Sequence, residues 1–203
     1  MASHCKTLWQ LQNRTEFFIL RHGQTAWNKE SRLQGQTEVS LDSTGRQQAG
    51  DAAQLLVDQN IRLIVSSPLS RALDTANIIA DVLNIPVKTD AAFIERGFGA
   101  LEGQHLVGIM PDRPQGLGLA YSTDLYDDAE PWNAVCARVL GATDKWLGEI
   151  GNGRILFVGH YAVMCAFSQQ LCGEVQVIRN AEPYRFIPGD YAWDLTRITA
   201  TND

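Results

Sequence analysis

The sequence has little cysteine, no excess of basic charge and no long apolar run. Each shortage narrows the field. Its four cysteines, Cys5, Cys136, Cys165 and Cys172, form no close Cys-x-x-Cys pair, and no histidine stands beside them at zinc-ligand spacing. A disulfide scaffold and a zinc module are thereby excluded, and structural thiols in a reducing cytoplasm are expected. Cys165 and Cys172 are expected to share one buried helix face. The net charge is -6 over 203 residues, so no basic face for nucleic acid is implied. No apolar stretch is long enough to cross a bilayer, and the opening residues lack the apolar core of a secretory signal. No internal repeat or low-complexity tract occurs. An apolar content of 45% is that of an ordinary globular domain.

What is present centres on residues 17–28. Phe17, Phe18, Ile19 and Leu20 run directly into Arg21, His22 and Gly23. An apolar run bounded by a turn signal reads as a short buried strand. Burying unpaired charge is costly, so such a strand ends in Arg-His only where something at its end uses them. Ligands of open α/β sheets bind beyond the carboxyl ends of the strands, and Gly23 lets the backbone turn tightly there.

The rest of the chain alternates strand and helix. Residues 1–14 read as a polar N-terminal extension, with Trp9 pinned onto the domain. Residues 15–203 read as a single α/β domain. Residues 29–40 are loop-like. A helix led in by residues 41–45 is expected to run to about residue 59, capped by Asp42 or Ser43 and buried through Ala49, Ala52, Ala53, Leu56 and Val57. Residues 61–65 form a strand and residues 69–83 a helix, and Val87 begins a short extended piece. Residues 90–103 form a loop rich in glycine and aromatics. An excursion at about 105–131 carries Pro111, Pro114, Gly116, Gly118 and an acidic patch of Asp124, Asp127, Asp128 and Glu130. A helix at 131–150, a strand at 155–158 and a helix at 162–172 follow. Two extended pieces, 184–187 and 191–198, are joined by Pro188, Gly189 and Asp190 as a hairpin. The fold class is therefore α/β: a three-layer sandwich with a mostly parallel central sheet, one antiparallel edge and flanking helices.

The run Leu20, Arg21, His22, Gly23, Gln24, Thr25, Ala26, Trp27, Asn28 resembles the RHG signature of the histidine phosphatase superfamily, also called phosphoglycerate-mutase-like. Residues 67–76 resemble its second signature, S-x-x-x-R-A-x-x-T-A. The resemblance implies that fold and an enzyme whose nucleophile, here His22, is transiently phosphorylated. It implies Arg21 and Arg71 as clamps on phosphate and His160 as a second imidazole beside the first. Asn28 and Gln34 match positions that line the pocket. Glu95 falls where the family's proton donor stands, ahead of residues 99–103, which resemble G-x-x-E-G. Glu102 is the fallback, expected to pair with a cation. His4 and His105 are given no role.

These residue types suit phosphoryl transfer. Attack needs a neutral nitrogen, guanidinium holds phosphate oxygens in a bidentate way, and the leaving oxygen needs an acid. Partial enclosure should raise the pKa of Glu95. Tyr161 follows His160 where the family usually has glycine or asparagine. It is expected to narrow the pocket or offer a phenol. The favoured function is hydrolysis of a phosphomonoester, a small phosphorylated metabolite. A phosphoglycerate mutase is the runner-up: Arg96 resembles the mutase form of its motif and Arg113 lies in the excursion. Against it, no basic run fills the excursion, and the chain is expected to lack a covering C-terminal lid. A non-catalytic phosphate-binding scaffold is the third reading. No cofactor and no metal are expected, because two arginines and two histidines supply the positive field. The expected partner is the phosphorylated substrate, with no nucleic acid and no membrane. The apolar strand edge and Trp9 permit a homodimer.

Overall fold

A computed structural model describes residues 9–109 and 128–200. Its six strands are β1 (Phe17–Arg21), β2 (Ile61–Ser66), β3 (Val87–Thr89), β4 (Arg154–Gly159), β5 (Pro183–Pro188) and β6 (Trp193–Arg197). They form one sheet in the order β3-β2-β4-β1-β5-β6. The first four in that order are parallel, and β5 and β6 add an antiparallel edge. The helices are α1 (Ala26–Lys29), α2 (Ser43–Leu56), α3 (Ser70–Leu83), α4 (Leu106–Ile109), α5 (Trp132–Glu149) and α6 (Tyr161–Phe167).

The side-chain alternation of β1 explains the layers. Phe17 and Ile19 join α5 and α6 residues such as Val139, Val163 and Phe167 in one core. Phe18 and Leu20 join Ala53 and Leu56 of α2 and Ala76 and Ile79 of α3 in the other. Phe17 to Leu20 are all wholly buried, and each such side chain stabilises the fold by about 1.5–3 kcal/mol. The strand therefore reads as a continuous apolar run rather than an alternating one.

Boundaries differ from expectation for local reasons. Asp42 caps α2 by accepting from the Gly45 amide at 2.8 Å. That helix ends at Leu56, short of residue 59, because Asn60 adopts a left-handed φ of 51° to turn the chain into β2. The last helix is α only to Phe167. A single π turn, Ser168–Cys172, follows and ends at Gly173 with φ 86°. Residues 90–103 contain two 3-10 turns, Ala91–Phe93 and Gly99–Leu101.

The sheet edges are not apolar. Lys88 and Thr89 of β3, and Asp194, Thr196 and Arg197 of β6, are exposed and blunt both edges. Trp9 is tied down by its backbone amide, which donates to the Gln170 carbonyl at 2.9 Å, while the residue is 39% exposed. Leu11 is buried in the core, and the Asn13 amide donates to Asp144 at 2.8 Å. Cys165 and Cys172 pack against the same core. Burial pushes the thiols of Cys136, Cys165 and Cys172 up to about 11, 12 and 12, which suits structural rather than reactive cysteines. His4, Cys5, Arg113 and most of the excursion lie outside the described residues. Among the described residues, no helix is long and apolar enough to cross a membrane.

Candidate active site

The parallel pairing of β1 and β4 sets Arg21 against Gly159. The residues just beyond, His22 and His160, therefore emerge side by side, with ring centroids 5.2 Å apart. The His22 amide donates to the Gly159 carbonyl at 2.9 Å, which locks the two strand ends together. Gly23 is required there: a Cβ would lie 2.3 Å from the Gly45 carbonyl oxygen at the start of α2. The Gly23 amide donates to Thr75 Oγ1 at 3.0 Å, and that hydroxyl donates to the Arg71 carbonyl at 2.7 Å.

The tautomer of His22 follows from one contact. Its Nδ1 lies 2.7 Å from the Gly23 carbonyl oxygen, which can only accept. Nδ1 therefore carries the proton, and Nε2 presents a lone pair. Burial, then Arg71 and Arg21, push the His22 pKa well below its ordinary value, so the ring is neutral. A buried neutral imidazole with one free lone pair is a competent nucleophile for phosphorus.

Arg71 occupies the first turn of α3 and is wholly buried. Its Nη1 donates to the Thr37 carbonyl at 2.8 Å and its Nη2 to the Gly35 carbonyl at 2.7 Å, which aim the guanidinium. Burial lowers its pKa to about 10, so it stays charged at neutral pH. Arg21 packs its guanidinium over the Tyr161 ring, 5.2 Å from the centroid.

Glu95 is buried, with 8% exposure. Its Oε1 accepts from the amides of Arg96 at 2.9 Å and Ala162 at 3.1 Å, and its Oε2 accepts from the Tyr161 amide at 3.0 Å. Burial raises its pKa, and it outweighs the Arg96 amide, Arg71, Arg21 and the Ala162 amide, which pull the other way. The shift has the direction expected from the sequence, and a carboxyl held this way can carry a proton to a leaving oxygen.

Arg21, His22, Asn28, Gln34, Arg71 and Glu95 line one cleft with a cavity volume of about 350 Å³. His160 is wholly buried beside it. Asn28 and Thr25 form a reciprocal cap on α1. Thr25 Oγ1 lies 3.1 Å from Gln34 Oε1 and donates to it. His105 is exposed, and its ring Nδ1 lies 3.1 Å from the Glu30 carbonyl oxygen. Glu102 departs from expectation, since no cation pairs with it among the described residues. It accepts instead from the amides of Gln36, Thr37 and Phe98 and from the Thr37 hydroxyl. Burial opposes its charge, but those hydrogen bonds win and hold its pKa below the usual value.

Three further residues support the site: the sequence reading does not single out Asn180 or Arg138, and it includes Ser67 only as the first residue of the second signature, with no role of its own. Asn180 donates to the His22 carbonyl at 2.8 Å. The antiparallel pairing of β5 with β1 carries residue 180 to the end of β1, so the expected hairpin edge was the available signal. Arg138 of α5 donates to the carbonyls of Ala92, Ile94 and Glu95 and forms a bidentate pair with Glu130. Its signal was a lone cation beside the buried Val135 and Val139. Ser67 Oγ lies 2.7 Å from His160 Nε2. Arg96 is not among the residues that line the cleft: its Nε donates to the Glu130 carbonyl at 2.7 Å, and its guanidinium lies over Phe98, which does line it.

Residues 17–186 match the model of the histidine phosphatase superfamily (branch 1). Uncharacterized phosphatase PhoE of Bacillus subtilis (strain 168) is 31% identical over 159 residues, 78% of each chain. Probable phosphoglycerate mutase GpmB of Yersinia enterocolitica is 37% identical over 100 residues, 49% of this chain and 46% of that protein. The structure of mycobacterial glucosyl-3-phosphoglycerate phosphatase complexed with VO3 is similar with a TM-score of 0.79 at 29% identity, covering 92% of this chain and 99% of that one. A phosphoglycerate mutase from Bacillus anthracis shares the fold, with a TM-score of 0.76 at 22% identity, covering 92% of this chain and 94% of that one. The family match runs from the first residue of β1 into β5, through both strand ends that carry the imidazoles, and the chain belongs to the histidine phosphatase superfamily.

Proposed function

We propose that this protein hydrolyses a phosphomonoester, a small phosphorylated metabolite, through a phosphohistidine on His22. The observation that carries the reading is the neutral, Nδ1-protonated His22 beside a second buried imidazole and two guanidinium groups. In the first step the Nε2 lone pair bonds to phosphorus as the bond from phosphorus to the alcohol oxygen breaks. The departing oxygen takes a proton from Glu95. Arg21, Arg71, His160, Asn28 and Gln34 stabilise the charge on the remaining phosphoryl oxygens. In the second step water gives a proton to the Glu95 carboxylate and its oxygen attacks phosphorus. The nitrogen–phosphorus bond breaks, returning His22 and releasing inorganic phosphate.

Hydrolysis is favoured over mutase chemistry by Arg96. That side chain is engaged with Glu130 and Phe98 and does not line the cleft. The mutase reading keeps one support, the similarity to GpmB over half the chain. The same proposal makes residues 15–203 one catalytic domain, with a lead-in at 1–14 and an excursion at 105–131, acting in the cytoplasm. Charges on β6 disfavour pairing through that edge, so a homodimer would use another face.

A panel of phosphomonoesters assayed for inorganic phosphate tests the reading. Phosphate release from para-nitrophenyl phosphate and from at least one metabolite is expected. Transfer to a second hydroxyl without release would move the assignment to a mutase. No turnover of any ester would leave the scaffold reading in its place.

A further inference from the structure

We propose that Ser67 is a positioning residue: its hydroxyl donates to His160 Nε2 and so holds the His160 proton on Nδ1, the nitrogen that then donates to the phosphoryl group. Only the last step rests on the phosphatase reading. The hydrogen-bond argument stands without it.

Ser67 follows β2, next to the end of β4, and its amide donates to the Val158 carbonyl at 3.0 Å. Ser67 and His160 are both wholly buried. Ser67 Oγ lies 2.7 Å from His160 Nε2 and accepts from the Leu69 amide at 3.3 Å. Among the described residues the hydroxyl has no other partner. His160 Nδ1 is buried without one.

Two arrangements fit the distances. In the first, Nε2 carries the proton and donates to Ser67. The Ser67 hydroxyl hydrogen then has no acceptor, and Nδ1 is an unused acceptor, so two buried groups go unsatisfied. In the second, the hydroxyl donates to Nε2 and the proton sits on Nδ1, leaving one unsatisfied group. Unpaired buried polar groups are costly, so the second arrangement wins. Burial, then Arg71 and His22, push the His160 pKa well below the ordinary value. The ring therefore holds a single proton, and which nitrogen bears it matters. The group left over is a donor, on a ring whose neighbour is His22. A phosphoryl oxygen needs a donor there, and a lone pair would repel it.

The test is a long-range 1H–15N spectrum of the full chain labelled with 15N-histidine, with His160 assigned through His160→Gln. A pyrrole-type Nδ1 and a pyridine-type Nε2 are expected for wild type. Ser67→Ala should shift His160 toward the other tautomer and lower kcat on a phosphomonoester about tenfold or more, with a smaller change in KM. Ser67→Cys keeps a weaker donor and should fall between the two. A wild-type spectrum with the proton on Nε2 overturns the assignment, whether or not Ser67→Ala folds. So does a Ser67→Ala protein with unchanged tautomer and kcat. An Nδ1-protonated His160 in a protein that hydrolyses no ester would overturn the phosphatase reading and, with it, only the phosphoryl contact.

Discussion

Replacing Arg138 by methionine isolates the brace behind the acid loop. The change keeps an unbranched apolar stem on α5 but removes the guanidinium. That group now donates to the carbonyls of Ala92 at 2.7 Å, Ile94 at 2.8 Å and Glu95 at 3.3 Å. It also holds Glu130 in a bidentate pair at 2.7 and 2.9 Å. The two side chains are 20% and 22% exposed, so the pair is mostly withdrawn from water. Breaking a buried pair by removing one partner costs about 3–5 kcal/mol, and the residual exposure argues for the lower end. A loss of about 3 kcal/mol lowers Tm by roughly 6–12 °C in a chain of this size. Urea denaturation and a thermal scan read both quantities. Function should fall as well, because the loop that carries Glu95 loses three anchors. Misplacing an acid costs most when the leaving group needs its proton. Turnover of an alkyl phosphate should drop about ten- to a hundredfold, and turnover of para-nitrophenyl phosphate less. Glu130→Gln leaves the carbonyl contacts in place and should cost less than Arg138→Met. A destabilisation under about 1 kcal/mol, or equal loss on both esters, would refute the reasoning.

Glu95→Gln should slow esters with poor leaving groups far more than activated ones, read as kcat across a series of leaving-group pKa; a flat series would remove Glu95 as the proton donor. The pKa values of His22 and His160 are both depressed below 6.5. The unfolded chain therefore takes up more protons as pH falls through that value. The contribution of these rings to stability is complete above about pH 6.5 and is lost on acidification, at up to about 1.4 kcal/mol per pH unit for each. A His22→Asn, His160→Asn protein should show a shallower acid-side loss in denaturation midpoints, and the same slope as wild type would contradict the shifts. Chelator should leave turnover unchanged, since with both imidazoles neutral the positive field comes from Arg21 and Arg71; loss of activity that added divalent metal restores would contradict this.

The sheet was legible wherever burial dictates composition. Residues 17–20 sit between two helix layers, so they can only be apolar, and Arg21-His22 at their end is conspicuous for that reason. Residues whose role depends on pairing between distant segments left weaker traces. Asn180 matters because β5 runs antiparallel beside β1, and the expected hairpin just downstream was its one faint trace. Ser67 matters because β2 and β4 are adjacent. Glu102 was expected to meet a cation, yet backbone amides satisfy it, because a tight loop offers more free N–H groups than side chains. A strand edge was expected to be apolar. Register turns Trp193 inward and leaves Asp194 and Arg197 outside.

The central claim is a covalent bond between phosphorus and His22 Nε2. Rapid quenching of wild type with a 32P-labelled phosphomonoester, followed by peptide mapping, tests it most directly. The account predicts acid-labile, base-stable label on the peptide containing His22 and none in His22→Ala. Label on another residue, or label retained by the variant, would contradict it.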